Sequence, residues 1–342
     1  MLKNKKSSIT DVANKAGVSI ATVSRFFNSA DQVSPDTRIK IAAAIEELNY
    51  RSIQQGAVRS NLIACVGRDL SNPNYITFFQ TAEQLTDERG YILAYHNTDM
   101  STERERKLFE HFAERNVAGV IAFTTAEDND NISILEKRGI PIVLMDSGNS
   151  GNNSNVLANL VTNVYSGTYK GTQYLLSIGH RRIAFLAGNI NLYTGATRLQ
   201  GYLDALRDFD PNLQPLYYSV AISEDAGYAQ TVQLLLQNAG VTAIFPASNQ
   251  LTSGCFRALQ EYNIRIPEQI SLLGFDDIGH PEFYNPPLTV VSRPFLHRAG
   301  YAAMSILLNH IEQKDNSDTL AKVSIDMPME ILVRQSCAPP GK

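Results

Sequence analysis

The sequence predicts a small all-α helix-turn-helix head followed by an α/β core of two doubly wound parallel-sheet subdomains. Residues 1–50 carry apolar side chains at helical spacing between capping residues. After residue 60 the chain alternates short apolar runs with helical stretches, and these runs form two sets of four. The 342 residues, 44% of them hydrophobic and 19% charged, suffice for several buried cores.

Composition excludes several classes of protein. No apolar run approaches the roughly 20 residues of a membrane span, and no hydrophobic stretch follows the N-terminal lysines as in a signal peptide. We therefore expect a cytoplasmic chain without a membrane partner. The three cysteines are far apart and show no C-x-x-C spacing, so we expect neither disulfides nor a metal site, and no cofactor. They are Cys65, Cys255 and Cys337.

Charge is unevenly distributed along the chain. Residues 1–60 hold nine Lys and Arg against five Asp and Glu, whereas the remainder holds 21 basic and 29 acidic residues. A basic head on an acidic body is typical of proteins with a polyanionic partner such as nucleic acid. On charge alone, a basic terminus without any such role is an equally good interpretation.

The stretch "ITDVANKAGVSIATVSRFFN", residues 9–28, predicts two short helices. Apolar residues recur at helical spacing up to Ala16, and Gly17 can end the first helix in a left-handed conformation. Ser19 is a good N-cap for a second helix that starts at Ile20. Two short helices joined by a glycine turn form a helix-turn-helix.

The next stretch, "VSPDTRIKIAAAIEELNY", predicts a third helix that braces the first two. Ser34 serves as its N-cap and Pro35 as its first residue. In the second helix, Ile20, Ala21 and Arg25 face outward, and the hydroxyls of that helix are placed to bind phosphates. The alternative is a three-helix unit without a nucleic-acid role.

Eight apolar runs predict the strands of the core. Because the runs are continuously apolar and alternate with helices, we expect parallel sheets covered on both faces, with clefts at the carboxyl ends of the strands. The first set is "LIACV", "YILAYH", "GVIAF" and "PIVLM"; the second is "RIAFLA", "LYYSVAI", "TAIFP" and "ISLLGF".

The predicted domain organisation has three parts. Residues 1–50 form the helix-turn-helix head, residues 51–60 a hinge or linker, and residues 61–342 the core. Within the core, the N-subdomain is expected at about 61–160 and 293–320. The C-subdomain is expected at about 161–292 and 321–334.

The sequence resembles the lactose-repressor (LacI/GalR) family of bacterial transcription regulators over nearly its whole length. The resemblance rests on "DVANKAGVSIATVSRFFN" with the following "VSPDTRIKIAAAIEELNY", and on core segments such as "GHRRIAFLAG", "ATRLQGYLDAL" and "ISLLGFDDIGHPEFYNPPLTVVSRP". It implies a periplasmic-binding-protein-like core that binds a small effector and a head that binds a DNA operator. The head residues at matching positions are Ser19, Ile20, Ala21, Thr22, Ser24, Arg25 and Asn28.

The resemblance also implies an effector cleft between the two core lobes. Arg198 and Asp276 occupy matching positions, and such charged groups suit a hydroxyl-rich sugar, glycoside or nucleoside. Ser248 stands where the family usually has Asn, and Asn249 where it has Asp. The expected effector-binding residues are Asp69, Ser71, Tyr75, Thr124, Arg198, Ser248, Asn249 and Asp276, with Asn74, His96 and Asp146 as further strand-end candidates.

The linker departs from the family pattern. Ser52 and Ile53 replace a usual Pro-Asn pair, Gly56 stands where Ala is usual, and no leucine occupies the position that wedges into the minor groove. Interior glycine costs a marginal helix up to about 1 kcal/mol. The residues predict a hinge that orders only on DNA or does not insert, with Ile53 and Val58 as substitute wedges.

These observations together predict a homodimeric transcriptional regulator, in the family's commoner mode a repressor, that binds a pseudo-palindromic double-stranded operator. The sequence contains no G-x-x-x-x-G-K-[ST], G-x-G-x-x-G, H-E-x-x-H or G-x-S-x-G motif, so we expect no enzyme. No heptad segment follows the core, which favours a dimer over a tetramer. The alternative function is a sugar-binding module without a DNA-binding role.

Overall fold

The computed structural model describes residues 8–28, 32–48, 60–125, 130–148, 153–237, 240–277, 284–294, 296–312 and 323–341. The chain divides into two compact units, residues 1–60 and residues 61–342. The predicted hinge at 51–60 lies outside the described residues apart from Ser60, and so do both substitute wedges. Across the described ranges, no helix is both long and apolar enough to cross a membrane.

The head unit consists of three helices, α1 (Ile9–Ala16), α2 (Ile20–Asn28) and α3 (Pro35–Glu47). Gly17 ends α1 with φ of 66°, the left-handed conformation expected of it. Ser19 caps α2, because its Oγ accepts a hydrogen bond of 3.1 Å from the N–H of Thr22. Ser34 caps α3 through the N–H of Thr37, and Pro35 is the first residue of that helix.

Apolar side chains from all three helices form the core of the head. Val12, Val23 and Ile41 are completely buried, one from each helix. Their spacing leaves the opposite side of each helix in solvent, as the periodicity of the sequence predicts. Outside this core, Lys15 of α1 and Glu47 of α3 form an exposed ion pair of 2.5 Å. The helix-turn-helix and its bracing helix are therefore confirmed.

The first sheet of the core has six parallel strands in the order β11-β5-β4-β3-β1-β2. Their bounds are β1 (Leu62–Gly67), β2 (Ile92–Asn97), β3 (Gly119–Ala122), β4 (Ile142–Met145), β5 (Val156–Thr162) and β11 (Val323–Met327). Buried apolar side chains cover both faces of this sheet. The helices of this lobe are α4 (Pro73–Glu88), α5 (Thr102–Arg115), α6 (Asp130–Glu136) and α11 (Leu296–Glu312).

The second sheet also has six strands, in the order β12-β10-β9-β8-β6-β7. Their bounds are β6 (Ile183–Leu186), β7 (Leu216–Tyr218), β8 (Ala243–Pro246), β9 (Ser271–Phe275), β10 (Thr289–Ser292) and β12 (Glu330–Leu332). All pairs are parallel except β10 with β12. The helices of this lobe are α7 (Val164–Ser177), α8 (Tyr193–Phe209), α9 (Glu224–Leu236) and α10 (Asn249–Glu261).

All eight predicted strands are present, but the prediction of four strands in each sheet was wrong. The missed strands are β5, β10, β11 and β12, of which β10 and β12 have only four and three residues. The assignment of 321–334 to the C-subdomain is corrected for β11 only, since β12 lies in the second sheet. β11 pairs with β5 along its whole length, from Val323 opposite Ala158 to Met327 opposite Thr162, so it belongs to the first lobe.

The chain passes between the lobes after β5, after β10 and after β11. Each connection is short; for example, only Asn163 separates β5 from α7. The second lobe also extends beyond the predicted residue 334. Ser336, which is completely buried, donates to the carbonyl of Leu272 and accepts from the N–H of Thr289.

Two glycines bring α9 and α10 into backbone contact. A Cβ on Gly254 would lie 1.9 Å from the carbonyl oxygen of Glu224, and one on Gly227 would lie 2.4 Å from the carbonyl oxygen of Leu251. Both distances are far below any real contact, so only glycine fits. The close packing fixes the N-terminus of α10, which points towards the first lobe.

His180 holds the C-terminal segment on the second sheet. The imidazole is 1% exposed, and its Nε2 lies 3.0 Å from the carbonyl of Ala338, which can only accept a hydrogen bond. The Nδ1 therefore accepts from the hydroxyl of Thr242 at 2.8 Å. Burial lowers the pKa of His180 below its ordinary value. This residue therefore has a structural role.

Replacing Gly254 by Ala is expected to destabilise the core by about 1–3 kcal/mol, because the added methyl group separates two packed helices. Urea unfolding monitored by circular dichroism measures the change. Gln260→Ala, an exposed substitution on the same helix, should stay within about 0.5 kcal/mol of the parent. Equal effects of the two substitutions would show that the helix contact is not tight.

Acid is expected to remove the stabilising contribution of His180. Because burial holds its folded pKa below the unfolded value, the contribution is complete above about pH 6.5 and is lost as the pH falls further. The free energy of unfolding of the parent should exceed that of His180→Asn by more at about pH 8 than at about pH 5.5. A difference independent of pH would contradict this.

Candidate functional site

One edge of α2 in the head is exposed. Ile20 is 48% exposed, and Ala21 and Arg25 are exposed as well, whereas Val23 on the opposite side is completely buried. The side chain of Asn28 lies outside what the structure describes. The edge therefore offers two apolar side chains and one guanidinium, which can reach base edges when a helix enters the major groove.

The hydroxyl groups predicted to bind phosphate border this edge. Thr22 is half-buried, and its Oγ1 lies 2.8 Å from the Oγ of Ser19. Ser24 is half-buried too. A hydroxyl that already shares one hydrogen bond can still bond to a second oxygen. The predicted DNA-binding residues whose side chains are described thus share one edge of the head.

A cavity of about 340 Å³ lies in the cleft between the two lobes of the core. It opens at the carboxyl ends of strands from both sheets, where open α/β sheets bind ligands. Its size falls within the range of small-molecule sites. The wall includes Arg68, Asp69, Asn72, Asn74, Tyr75, Met100, Phe123, Asp146, Asn189, Leu192, Thr194, Gly195, Arg198, Ala221, Ile222, Ser248, Gln250, Asp276, Arg293 and Leu296.

Two aspartates stand at equivalent places in the two lobes. Asp146 follows β4 with φ of 49°, and Asp276 follows β9 with φ of 64°. Each backbone N–H bonds to the neighbouring strand, that of Asp146 to Leu160 and that of Asp276 to Val291. Left-handed backbone is strained for residues other than glycine, and such strain collects at functional sites. Both carboxylates thereby reach the cavity.

Arg293 connects these two carboxylates. Its Nε and Nη2 donate to the two oxygens of Asp276 at 2.7 and 2.6 Å, and its Nη1 lies 3.5 Å from an oxygen of Asp146. Burial lowers the pKa of Arg293, but the two carboxylates outweigh burial, so the net pKa rises above its ordinary value. The guanidinium is therefore permanently charged and joins the two lobes.

Arg68 binds main chain in the first lobe. Its Nε donates to the carbonyl of Thr124 at 2.7 Å and its Nη2 to the carbonyl of Asp146 at 2.9 Å. These bonds fix the guanidinium at the cavity wall without involving a carboxylate. The two groups that bind Arg68 are thus main-chain carbonyls, which stabilise its charge only through their dipoles.

Arg198 of α8 is buried at the wall and has no ion-pair partner among the described residues. It is 8% exposed, and its guanidinium carbon lies 4.9 Å from the centre of the Phe275 ring. Its Nε has no hydrogen-bond partner among the described residues. Burial, together with the nearby Arg293, lowers the pKa of Arg198 to about 10 despite the nearby carboxylates. The side chain remains a cation at neutral pH and has donors to offer.

The N-terminus of α10 contacts the first lobe across the cleft. The Nε2 of Gln250 donates to Asp69 at 2.9 Å and to the Oγ of Ser71 at 3.0 Å. The Nδ2 of Asn249 donates to the Oδ1 of Asn72 at 3.1 Å. Burial by itself raises the pKa of Asp69, but hydrogen bonds from Ser71 and Gln250 outweigh it and lower the net pKa.

Five of the eight expected effector-binding residues line the cavity: Asp69, Tyr75, Arg198, Ser248 and Asp276. The hydroxyl of Ser248 caps α10, since it accepts from the N–H of Leu251 at 3.2 Å. The ring of Tyr75 packs against Phe123 with its centroid 4.7 Å away.

Three expected residues lie outside the described wall. Ser71 and Asn249 are engaged in the contacts across the cleft. Thr124 is buried beside the cavity, and its hydroxyl lies 3.4 Å from that of Ser147. These three residues do not line the cavity in this structure, and their binding to an effector stays a prediction. The reason is that each side chain is turned towards protein partners.

Two of the three further strand-end candidates line the cavity. Asn74 and Asp146 line the cavity, whereas the ring of His96 packs edge-on against Phe112, 5.0 Å between centroids. Asp277 accepts two hydrogen bonds from Arg334 and so has a structural partner.

Sequence reasoning missed six polar residues of the wall, namely Arg68, Asn72, Asn189, Thr194, Gln250 and Arg293. Arg68 directly follows the first apolar run, which is a readable signal. Arg293 follows β10, whose four residues gave too short a pattern to be recognised as a strand. Gln250 carries no signal in sequence, because its role depends on where α10 meets the other lobe.

Two family models match the chain. One describes the lacI family of bacterial regulatory proteins and matches residues 8–52. The other describes a periplasmic binding protein-like domain and matches residues 172–337. The first covers the three helices of the head. The second covers most of the second lobe, together with α11, β11 and β12.

Curated and solved proteins are similar over nearly the whole chain. The HTH-type transcriptional repressor PurR of Haemophilus influenzae is 30% identical over 338 residues, which cover 96% of this chain and 98% of PurR. The transcriptional regulator CelR in complex with cellobiose is 28% identical with a TM-score of 0.70, covering 97% of this chain and all of that chain.

A further solved relative includes DNA. The lac repressor dimer bound to operator and the anti-inducer ONPF is 26% identical with a TM-score of 0.70, covering 98% of this chain and all of that chain. Head, core and cleft therefore agree with one family in sequence and in structure. The chain belongs to the lacI family of bacterial regulatory proteins and is a DNA-binding regulator of transcription.

Proposed function

We propose that the protein represses transcription by binding a pseudo-palindromic operator as a homodimer, and that a sugar-like effector in the cleft controls its operator affinity. The observation that carries the effector half is the buried Nε of Arg198, which has no hydrogen-bond partner among the described residues, in a cavity walled by both lobes. A ligand that satisfies this side chain stabilises the arrangement of lobes in which it binds.

The exposed edge of α2 supports the proposed contact with DNA. In this proposal the edge enters the major groove, Arg25 bonds to a guanine, and Ile20 and Ala21 contact apolar groups such as a thymine methyl. Ser19, Thr22, Ser24 and Asn28 bind the flanking phosphates and sugars. The net positive charge of residues 1–60 favours the same partner.

The chemistry of the cavity supports a hydroxyl-rich effector. Asp276 and Arg198 offer a carboxylate and a guanidinium, each able to bind two oxygens in a plane. Asp69, Tyr75 and Ser248 add polar groups at the wall, and apolar side chains cover other parts of it. The solved relative CelR binds cellobiose, a sugar.

An exposed apolar surface of the first lobe supports the homodimer. β2 is an edge strand, and its Ile92 and Tyr95 are 57% and 37% exposed. Ile76 of the adjacent α4 is 55% exposed. The ring of Tyr95 packs on Phe79 of that helix, 4.9 Å between centroids, so strand and helix present a joint surface. We propose that two copies bury this surface against each other.

Arg25→Ala is expected to weaken binding to an operator by about 1–3 kcal/mol and to relax the preference at one base pair. Fluorescence anisotropy with DNA from upstream of the gene, at fixed salt, measures both effects. Arg104→Ala, which removes an exposed arginine of the core, is the matched control and should bind as the parent does. Unchanged binding by Arg25→Ala would exclude the proposed base contact.

Effector and operator are expected to change each other's affinity by the same factor, corresponding to about 1–3 kcal/mol. A thermal-shift screen of sugars and nucleosides identifies the ligand, and titrations with and without operator measure the factor in both directions. Arg198→Ala should abolish the thermal shift. Factors of one in both directions would contradict effector control.

A further inference from the structure

The unpartnered polar atoms of the cavity wall are of one chemical kind. Among the described residues that line the cavity, the buried side-chain atoms without a hydrogen-bond partner are the Nε of Arg198 and the Nδ2 of Asn74. Both are N–H donors, and one belongs to a cation. A buried donor without a partner costs free energy, so a ligand that brings acceptors to both relieves that cost.

The carboxylates of the wall have protein partners already. Both oxygens of Asp276 accept from Arg293, which also lies within 3.5 Å of Asp146. Asp146 accepts in addition from the N–H of Thr162 at 2.7 Å. Asp69 accepts from Gln250 and from the N–H of Ser71. Asp276 and Asp146 therefore share the single positive charge of Arg293, and Asp69 is bound by uncharged donors.

The three guanidiniums of the wall differ in their partners. Of the three guanidiniums on the wall, Arg293 alone forms an ion pair among the described residues. Arg68 is held by two main-chain carbonyls, and Arg198 lies on the ring of Phe275. Arg198 therefore has no ion-pair partner among the described residues, although Asp276 and Asp146 are near enough to favour its charged form.

We infer that the effector is an acidic sugar, a polyol that carries one oxyanion group and binds with that group against Arg198 and Asn74. This inference rests on the proposed function and names the class of ligand for the same cleft. A guanidinium and an amide N–H bind two oxygens of a carboxylate or a phosphate at once. The remainder of the ligand faces Leu192 and Ile222 with its apolar side and Asn189 with its hydroxyls.

A neutral sugar fits the wall less well. Its hydroxyls can accept from Arg198, but they leave that buried guanidinium without an ion-pair partner. Asp276 already accepts from Arg293 at both oxygens, so a neutral sugar has only the remaining lone pairs of this carboxylate for its hydroxyl donors. The charge distribution thus discriminates between sugars that share their hydroxyl pattern and differ in one acidic group.

Isothermal titration of the full-length protein with matched pairs of sugars tests the inference. The pairs are D-glucuronate and D-glucose for a carboxylate, glucose 6-phosphate and D-glucose for a phosphate, and ribose 5-phosphate and D-ribose for a smaller ring. In at least one pair the acidic member is expected to bind at least tenfold more tightly. Which pair shows the preference identifies the oxyanion as carboxylate or phosphate.

Arg198→Gln is expected to reduce this preference to below threefold, because the variant keeps hydrogen-bond donors but loses the charge. Arg207→Gln, on the exposed side of the same helix, is the matched control and should keep the full preference. Asn74→Asp provides a second variant, in which like-charge repulsion should weaken the acidic member alone. Thermal unfolding of each variant verifies its fold.

Equal affinity for the acidic and neutral members of every pair would overturn the inference and leave the regulator with a neutral sugar effector. An acidic preference that survives unchanged in Arg198→Gln or Asn74→Asp would also overturn it. Failure of every sugar, acidic or neutral, to bind or to change operator affinity would contradict the proposed sugar effector itself.

Discussion

The ion pair between Arg293 and Asp276 is the interaction on which the arrangement of the core depends. Arg293 stands where the chain leaves the second sheet for α11 of the first lobe, and its third nitrogen faces Asp146 at the end of β4. Removing one partner of such a buried pair typically costs about 3–5 kcal/mol, because the other charge is left uncompensated. The pair also compensates the charge of Asp276 and thereby affects how strongly this carboxylate can attract a ligand.

Much of the fold could be predicted from sequence because its signals are local. The capped helices of the head and the apolar runs of the central strands each carry their pattern within ten to twenty residues. The edge strands β11 and β12 do not: β12 has three residues, and β11 alternates in character because it lies at the edge of its sheet. Their existence depends on a partner strand far away in the chain, such as β5 for β11.

The same distinction between local signals and distant contacts holds for the residues of the candidate site. Arg198 and Asp276 could be placed from the resemblance, and Asp69 and Tyr75 from their positions after β1. The partners that set their charge state could not be predicted, since Arg293 and Gln250 reach the cleft only through the crossing connections and the α9–α10 contact. Ser71 and Asn249 are of a suitable type and follow suitable strands, but neither lines the cavity. Each forms a hydrogen bond to the opposite lobe instead, Ser71 with Gln250 and Asn249 with Asn72.

The late return of β11 to the first sheet has a consequence for synthesis on the ribosome. The other five strands of that sheet are synthesised more than a hundred residues before β11. Until β11 is made, β5 is an unpaired edge strand. Unpaired margins invite association with other chains. We expect a nascent chain of this kind to depend on rapid completion, or on a chaperone, which keeps β5 from pairing with another chain until β11 has been synthesised.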